Sequence, residues 1–293
     1  MTEEHQRRAS TNATVPAKVG VLGGGRMGAG IAHGFLIAGA EVVVVEVSAQ
    51  ATEAAKARIE ADLAKSLERG KVDGNLDEWT QRLTVSVDYS AFRPCQLVVE
   101  AVPELWDLKV ESLKRIEENI DASAWLASNT SSLSIDGLAG ELQRPQRFCG
   151  LHFFNPVPAS KLVEVVLGEQ TSQELASLAL SWVAGLGKTP VTVQDAPGFA
   201  SSRLGVAIAL EAIRMVEEGV AAPEDIDNAM VLGYKFPVGP LALTDMVGLD
   251  VRLGIAEYLA SELGERFEPP QLMRDMVARG ELGRKSGKGF YDY

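Results

Sequence analysis

Apolar positions along this chain fall into two patterns. Short continuous runs cover Lys18–Leu22, Glu41–Glu46, Leu83–Val87, Leu97–Glu100, Trp125–Ser128, Phe148–Phe153, Leu162–Val166 and Pro190–Val193. Each predicts a strand. Ile31, Phe35 and Ala38 recur instead at helical spacing and predict a helix over Ala29–Ala38, which Gly39 ends. A second helix is predicted over Leu108–Asn119. From Ala49 to Trp79, Ile59, Leu63 and Leu67 recur among many charges, and Gly70 and Asp73-Gly74-Asn75 break the stretch into the two arms of a helical hairpin.

The first strand, helix and second strand form a βαβ unit. The second strand carries four consecutive valines, apolar on both faces, as a parallel strand covered by helices requires. After Val193 no segment has strand periodicity. Leu204, Ile208 and Met215 line one face of a long helix that Gly219 can end. Pro223, followed by Glu224 and Asp225, opens another, because proline suits the first turn and acids the dipole's positive end. The expected architecture is α/β: a Rossmann-type dinucleotide-binding domain over residues 17–194 with an inserted helical hairpin, then an all-helical domain over 195–293. Residues 1–16 are polar, lack the apolar core of a secretory signal, and read as a tail.

Composition narrows the possible partners. The net charge of −12 disfavours nucleic acid and anionic membrane, and an anionic ligand needs a local basic patch. No apolar stretch is long enough to span a bilayer. Cys95 and Cys149, the two cysteines, stand outside any metal-binding spacing. They read as buried thiols of a reducing compartment, and the chain as cytoplasmic with no metal.

Between the first strand and its helix lies Gly23-Gly24-Gly25-Arg26-Met27-Gly28. In this context Gly23 permits a tight turn, Gly25 lets backbone approach a pyrophosphate, and Gly28 lets helix and strand pack closely. The helix N-terminus then faces the phosphates. Glu46, at the end of the second strand, suits the ribose hydroxyls and repels a 2′-phosphate, which favours NAD over NADP. The other reading of the loop is a glycine turn needed for packing alone.

There are three histidines. His5 is in the tail, and His33 sits inside the first helix as a packing or surface residue. His152 ends a strand, and a proline-bounded turn can bring Glu164 of the next strand to face it. Such a pair can take a hydroxyl proton and hold the resulting imidazolium; it also fits a core histidine satisfied by a structural carboxylate. Ser128-Asn129-Thr130-Ser131-Ser132 follows the carboxyl end of another strand, where ligands of open sheets bind. Taken singly, each of these residues also fits a helix cap.

Jointly these stretches resemble the 3-hydroxyacyl-CoA dehydrogenase family, in particular its single-function, short-chain 3-hydroxybutyryl-CoA branch. The likeness rests on Leu97–Glu104, Ala127–Leu133, Gly150–Pro158, Asp195–Phe199, Glu224–Asp227, Val238–Pro240 and Gly287–Tyr291. It implies NAD as cofactor and an acyl-CoA substrate, with His152 as general base, Glu164 as its partner and Ser131 on the substrate oxygen. It also implies nucleotide contacts from Glu104, Lys109, Asn155 and Lys285, and a homodimer formed through the helical domain. Coenzyme A is expected on the hairpin, where Lys65, Arg69 and Lys71 cluster, although the same residues fit a solvated helix face. One position departs from the family: Ser202 stands where an asparagine usually assists the active site. A dehydrogenase of free hydroxy or sugar acids, or a non-catalytic nucleotide-sensing relative, is the competing reading.

Overall fold

The computed structural model describes residues 14–293, so most of the expected tail, with His5, lies outside the described residues. The chain divides into two compact units, Met1–Asp195 and Ala196–Tyr293.

The first unit is built on one sheet of eight strands: β1 (Lys18–Leu22), β2 (Glu41–Val45), β3 (Leu83–Ser86), β4 (Leu97–Glu100), β5 (Trp125–Ser128), β6 (Phe148–Phe153), β7 (Leu162–Leu167) and β8 (Thr189–Gln194). Their order is β3-β2-β1-β4-β5-β6-β7-β8. The first six run parallel; β7 turns antiparallel to β6, and β8 runs parallel to β7. Strand order reverses beside β1, whose two neighbours are β2 and β4. That crevice at the strands' carboxyl ends is where open α/β sheets bind ligands. β4, β5 and β6 are buried along their whole length, which explains their largely apolar make-up.

The helices of this unit are α1 (Arg26–Ile37), α2 (Ala49–Glu68), α3 (Leu76–Gln81), α4 (Trp106–Asn119), α5 (Ile135–Ala139) and α6 (Gln173–Gly185). α2 and α3 are the arms of the hairpin inserted between β2 and β3, the second arm a single short helix. Ser48 caps α2 by accepting from the Ala51 N–H, and Asn75 caps α3 by accepting from that of Asp77. Ile59 and Leu63 of α2 and Trp79 of α3 join the valines of β2 in the core. Helix α6, between β7 and β8, stands outside the elements expected from the sequence.

The second unit is helical: α7 (Ser201–Glu217), α8 (Pro223–Asn228), α9 (Pro240–Val247), α10 (Leu249–Leu263) and α11 (Gln271–Ala278). α7 ends before Gly219, which takes a left-handed φ of 71°. The core of this unit gathers Val206, Leu210 and Ile213 of α7 with Leu241, Ala256, Leu259 and Met273.

Candidate active site

The glycine loop joins β1 to α1 at the switch point. Gly23 has a φ of 88°, and its N–H donates to the Val45 carbonyl at 2.9 Å. A Cβ on Gly28 would lie 1.7 Å from the Gly23 carbonyl oxygen, so helix and turn touch backbone to backbone. Gly25 differs: a Cβ there meets no protein atom within 4 Å. The protein's own packing leaves that position open. No side chain caps the N-terminus of α1, whose first N–H groups have no partner within the helix. This is the cradle that a dinucleotide pyrophosphate fits.

Glu46 lies one residue past β2. Its Oε1 accepts the Gly24 N–H at 2.5 Å, while Arg58 of α2 donates to the Gly24 carbonyl at 2.7 Å. The acid thus stands against the glycine loop. Arg58 carried no signal in the sequence beyond its charge; its role depends on how α2 packs.

At the carboxyl ends of β4 and β5 is a second polar assembly. Glu100, fully buried, accepts from Lys109 Nζ at 2.8 Å, the Val102 N–H at 2.7 Å and Ser128 Oγ at 2.6 Å. Lys109 is itself buried and also reaches Glu104, at 3.3 Å. Glu104 in turn accepts from Thr130 Oγ1 at 2.5 Å and from the backbone N–H groups of Ser131 and Ser132 at 2.8 and 3.1 Å. Burial pushes the Glu104 carboxyl up, but the Lys109 charge and the bonds from Thr130 and Ser131 outweigh it and hold the group below the usual carboxylate range. The loop carrying Ser131 is therefore clamped by one ionised acid. Glu100, central to the assembly, stood in the sequence as the one charge closing an apolar strand.

His152 and Glu164 are directly paired in the antiparallel β6–β7 ladder, so their side chains share one face of the sheet. His152 Nδ1 lies 2.7 Å from Glu164 Oε2, and both side chains are buried. Asn129 accepts the Phe153 N–H at 2.9 Å, which ties the Ser128–Ser132 loop to the residue beside His152. The histidine stands at the carboxyl end of β6, on the same edge of the sheet as the glycine loop.

After β6, residues 154–160 turn back towards β7 along one wall of a cleft of about 260 Å³. Asn155 and Pro156–Ala159 face it on one side, and Asp62, Lys65, Ser66, Arg69 and Lys71 of the hairpin on the other. Arg26, from the glycine loop, completes the lining. Four cations against one carboxylate make this a local basic patch on an acidic chain. The sequence-predicted Lys65, Arg69 and Lys71 are thus together, and with Asn155.

Two predicted residues belong to the second unit. Ser202 is the second residue of α7. Lys285 lies in a 3-10 turn and is paired with Asp250 Oδ2 at 2.6 Å.

A glycine cradle at the switch point of a mostly parallel sheet, with an acid beyond the next strand, defines a Rossmann-type dinucleotide-dependent dehydrogenase. Residues 18–196 match the 3-hydroxyacyl-CoA dehydrogenase NAD binding domain, and residues 198–293 the C-terminal domain of the same proteins. The chain belongs to the 3-hydroxyacyl-CoA dehydrogenase family. A probable 3-hydroxybutyryl-CoA dehydrogenase of Deinococcus radiodurans is 44% identical over 277 residues, 94% of this chain and 100% of the relative. A probable 3-hydroxybutyryl-CoA dehydrogenase of Bacillus subtilis is 43% identical over 275 residues, 93% of this chain and 96% of the relative. The crystal structure of (S)-3-hydroxybutyryl-CoA dehydrogenase from Ralstonia eutropha superposes with a TM-score of 0.91 at 40% identity, covering 95% of this chain and 99% of that one.

Proposed function

We propose that this chain catalyses NAD-dependent oxidation of short-chain (S)-3-hydroxyacyl-CoA to 3-oxoacyl-CoA, and the reverse reduction. The observation that carries the mechanism is the buried His152–Glu164 contact at 2.7 Å. Nδ1 of the ring is committed to Glu164, so the base is Nε2. It takes the proton of the 3-hydroxyl as the carbon–hydrogen bond breaks. Glu164 holds the ring's orientation and stabilises the imidazolium that forms. Ser131, held by Glu104 through its N–H at 2.8 Å, turns its hydroxyl from that carboxylate, 3.2 Å away, to donate to the substrate oxygen. When bound, the nicotinamide supplies the hydride acceptor.

Gly23, Gly25, Arg26, Met27 and Gly28 hold the cofactor's pyrophosphate by backbone, and Glu46 its ribose. Glu104, Asn155 and Lys285 are assigned to the nucleotide's remaining contacts, with Lys109 acting through its grip on Glu104. Ser202 takes the place of an active-site asparagine and offers one shorter hydrogen-bonding group.

The basic cleft is the reading's support for a coenzyme A thioester rather than a free hydroxy acid. Lys65, Arg69 and Lys71 meet there and can pair with phosphates. We assign the dimer to the second unit, where Leu204 and Ile208, one turn apart on α7, are both exposed. The cytoplasm suits the chain's two buried unpaired thiols, and among the described residues no helix is long and apolar enough to cross a membrane.

The test is His152→Ala, assayed by NADH consumption with acetoacetyl-CoA. Turnover should fall by at least about 10²-fold, the usual weight of a general base, with NADH binding unchanged. Retained turnover would remove His152 from the mechanism.

A further inference from the structure

Two ionisable residues, His33 buried and Lys188 half-buried, have no part in that chemistry, and both stand behind the basic cleft. His33 lies on α1 and is 4% exposed. Its Nε2 is 2.8 Å from Ser66 Oγ, and Ser66 spends its own proton on the Asp62 carbonyl at 2.9 Å. His33 must therefore donate from Nε2, which leaves Nδ1 as an unprotonated acceptor, buried and without a partner. Burial holds the imidazole below its ordinary range, with Asp62 opposing and the Lys188 charge reinforcing, so the ring is neutral. Lys188 donates to the carbonyls of Val157 and Ser160, at 2.6 and 2.5 Å. Among the described residues no carboxylate pairs with it.

A buried nitrogen left unsatisfied is less stabilising than an apolar side chain of the same size. The positions of His33 and Lys188 suggest what they do instead. Ser66 lies between Lys65 and Arg69 on the hairpin wall, and Val157 lies on the loop wall. α1 forms the support beneath both walls. A Cβ on Gly30 would come within 2.6 Å of Val157 Cβ, so helix and loop are in direct contact there. His33, one helical turn further along the same face, holds Ser66. Lys188 then fixes the loop from its other edge.

We propose that His33 and Lys188 are positioning residues that set the spacing between the two walls of the basic cleft, and with it the affinity for the nucleotide part of a coenzyme A thioester. The proposal rests on reading the cleft as the coenzyme A site. It also makes α1 a shared part: its N-terminus shapes the cofactor loop and its body shapes the substrate cleft.

The experiment compares His33→Leu, His33→Gln, Lys188→Met and Lys188→Arg with Arg69→Gln. Steady-state constants are measured with acetoacetyl-CoA and with a truncated acetoacetyl thioester that lacks the nucleotide. His33→Leu and Lys188→Met should each raise KM for acetoacetyl-CoA about five- to tenfold, the weight of about one hydrogen bond. Their kcat, their KM for NADH and their kcat/KM for the truncated thioester should stay within about twofold of wild type. His33→Gln and Lys188→Arg keep a donor and should restore the wild-type KM. Equal losses on both thioesters, or no rescue by the donor-keeping variants, overturn the proposal and leave a general packing role. If Arg69→Gln raises the acetoacetyl-CoA KM while His33→Leu and Lys188→Met do not, the positioning role fails and the cleft assignment stands. If Arg69→Gln has no effect, the cleft assignment itself fails.

Discussion

Replacing Glu164 by glutamine removes one charge and almost nothing else. The amide has the carboxylate's shape, and its oxygen can still accept from His152 Nδ1 at the present 2.7 Å. Ring orientation and packing between β6 and β7 are therefore kept. What is lost appears only as the imidazole becomes cationic, which happens on the way to the transition state. A hydrogen bond to a charged group contributes about 1.5–3 kcal/mol, so kcat should fall roughly 10- to 150-fold at about 1.4 kcal/mol per decade. The loss should fall on kcat and kcat/KM together, with little change in substrate binding. Glu164→Ala, which also frees the ring to rotate, should be slower still. The assay is NADH consumption with acetoacetyl-CoA, alongside NADH titration by fluorescence to show an intact cofactor site. A folded, NADH-binding Glu164→Gln enzyme with kcat within about twofold of wild type would refute the reasoning, since the carboxylate would then be a structural partner only.

Three further outcomes follow from the same geometry. Gly28→Ala places a methyl group 1.7 Å from the Gly23 carbonyl oxygen and should prevent stable folding, whereas Gly25→Ala meets no protein atom and should keep the wild-type melting temperature while weakening NADH binding in a calorimetric titration. Lys109→Met leaves the fully buried Glu100 without its cation and should lower unfolding free energy by about 3–5 kcal/mol in urea denaturation; a loss below about 1 kcal/mol would show that Ser128 and the Val102 N–H suffice for Glu100.

The strands were legible because parallel strands buried on both faces are largely apolar words. β1, β4, β5 and β6 begin and end where their runs do. β2 stops at Val45, one residue short of the expected end, because Glu46 turns to take the Gly24 N–H. α1 begins at Arg26, three residues earlier than its apolar spacing suggests, since the loop residues Arg26 and Met27 form its first turn. Helix α6 had a signal that went unread: Leu175, Ala176, Ala179, Trp182 and Val183 sit at helical spacing and are all buried. At the candidate site, the His152–Glu164 pair was accessible because one antiparallel turn relates the two. Arg58, Glu100 and Lys188 were not, because each acts on backbone far away in sequence. A lysine bound by two carbonyls carries no pattern at all; only the path of the loop reveals it.

The placement of charge gives the candidate site a common logic. Three carboxylates each organise one segment of the candidate site. Glu46 takes an N–H of the glycine loop, Glu104 those of Ser131 and Ser132, and Glu164 the ring of His152. None of these acids lines the basic cleft, where Arg26, Lys65, Arg69 and Lys71 face Asp62 alone. Acids bind the protein's own donors and so fix loops at modest desolvation cost, because each replaces water with directed N–H or O–H groups. Cations are left to face the solvent, where an incoming anion can pair with them. A chain with a net charge of −12 would otherwise repel a polyphosphate. Tying these three acids to the protein's own donors while Lys65, Arg69 and Lys71 line the cleft lets the same chain be acidic overall and locally attractive to two anionic ligands.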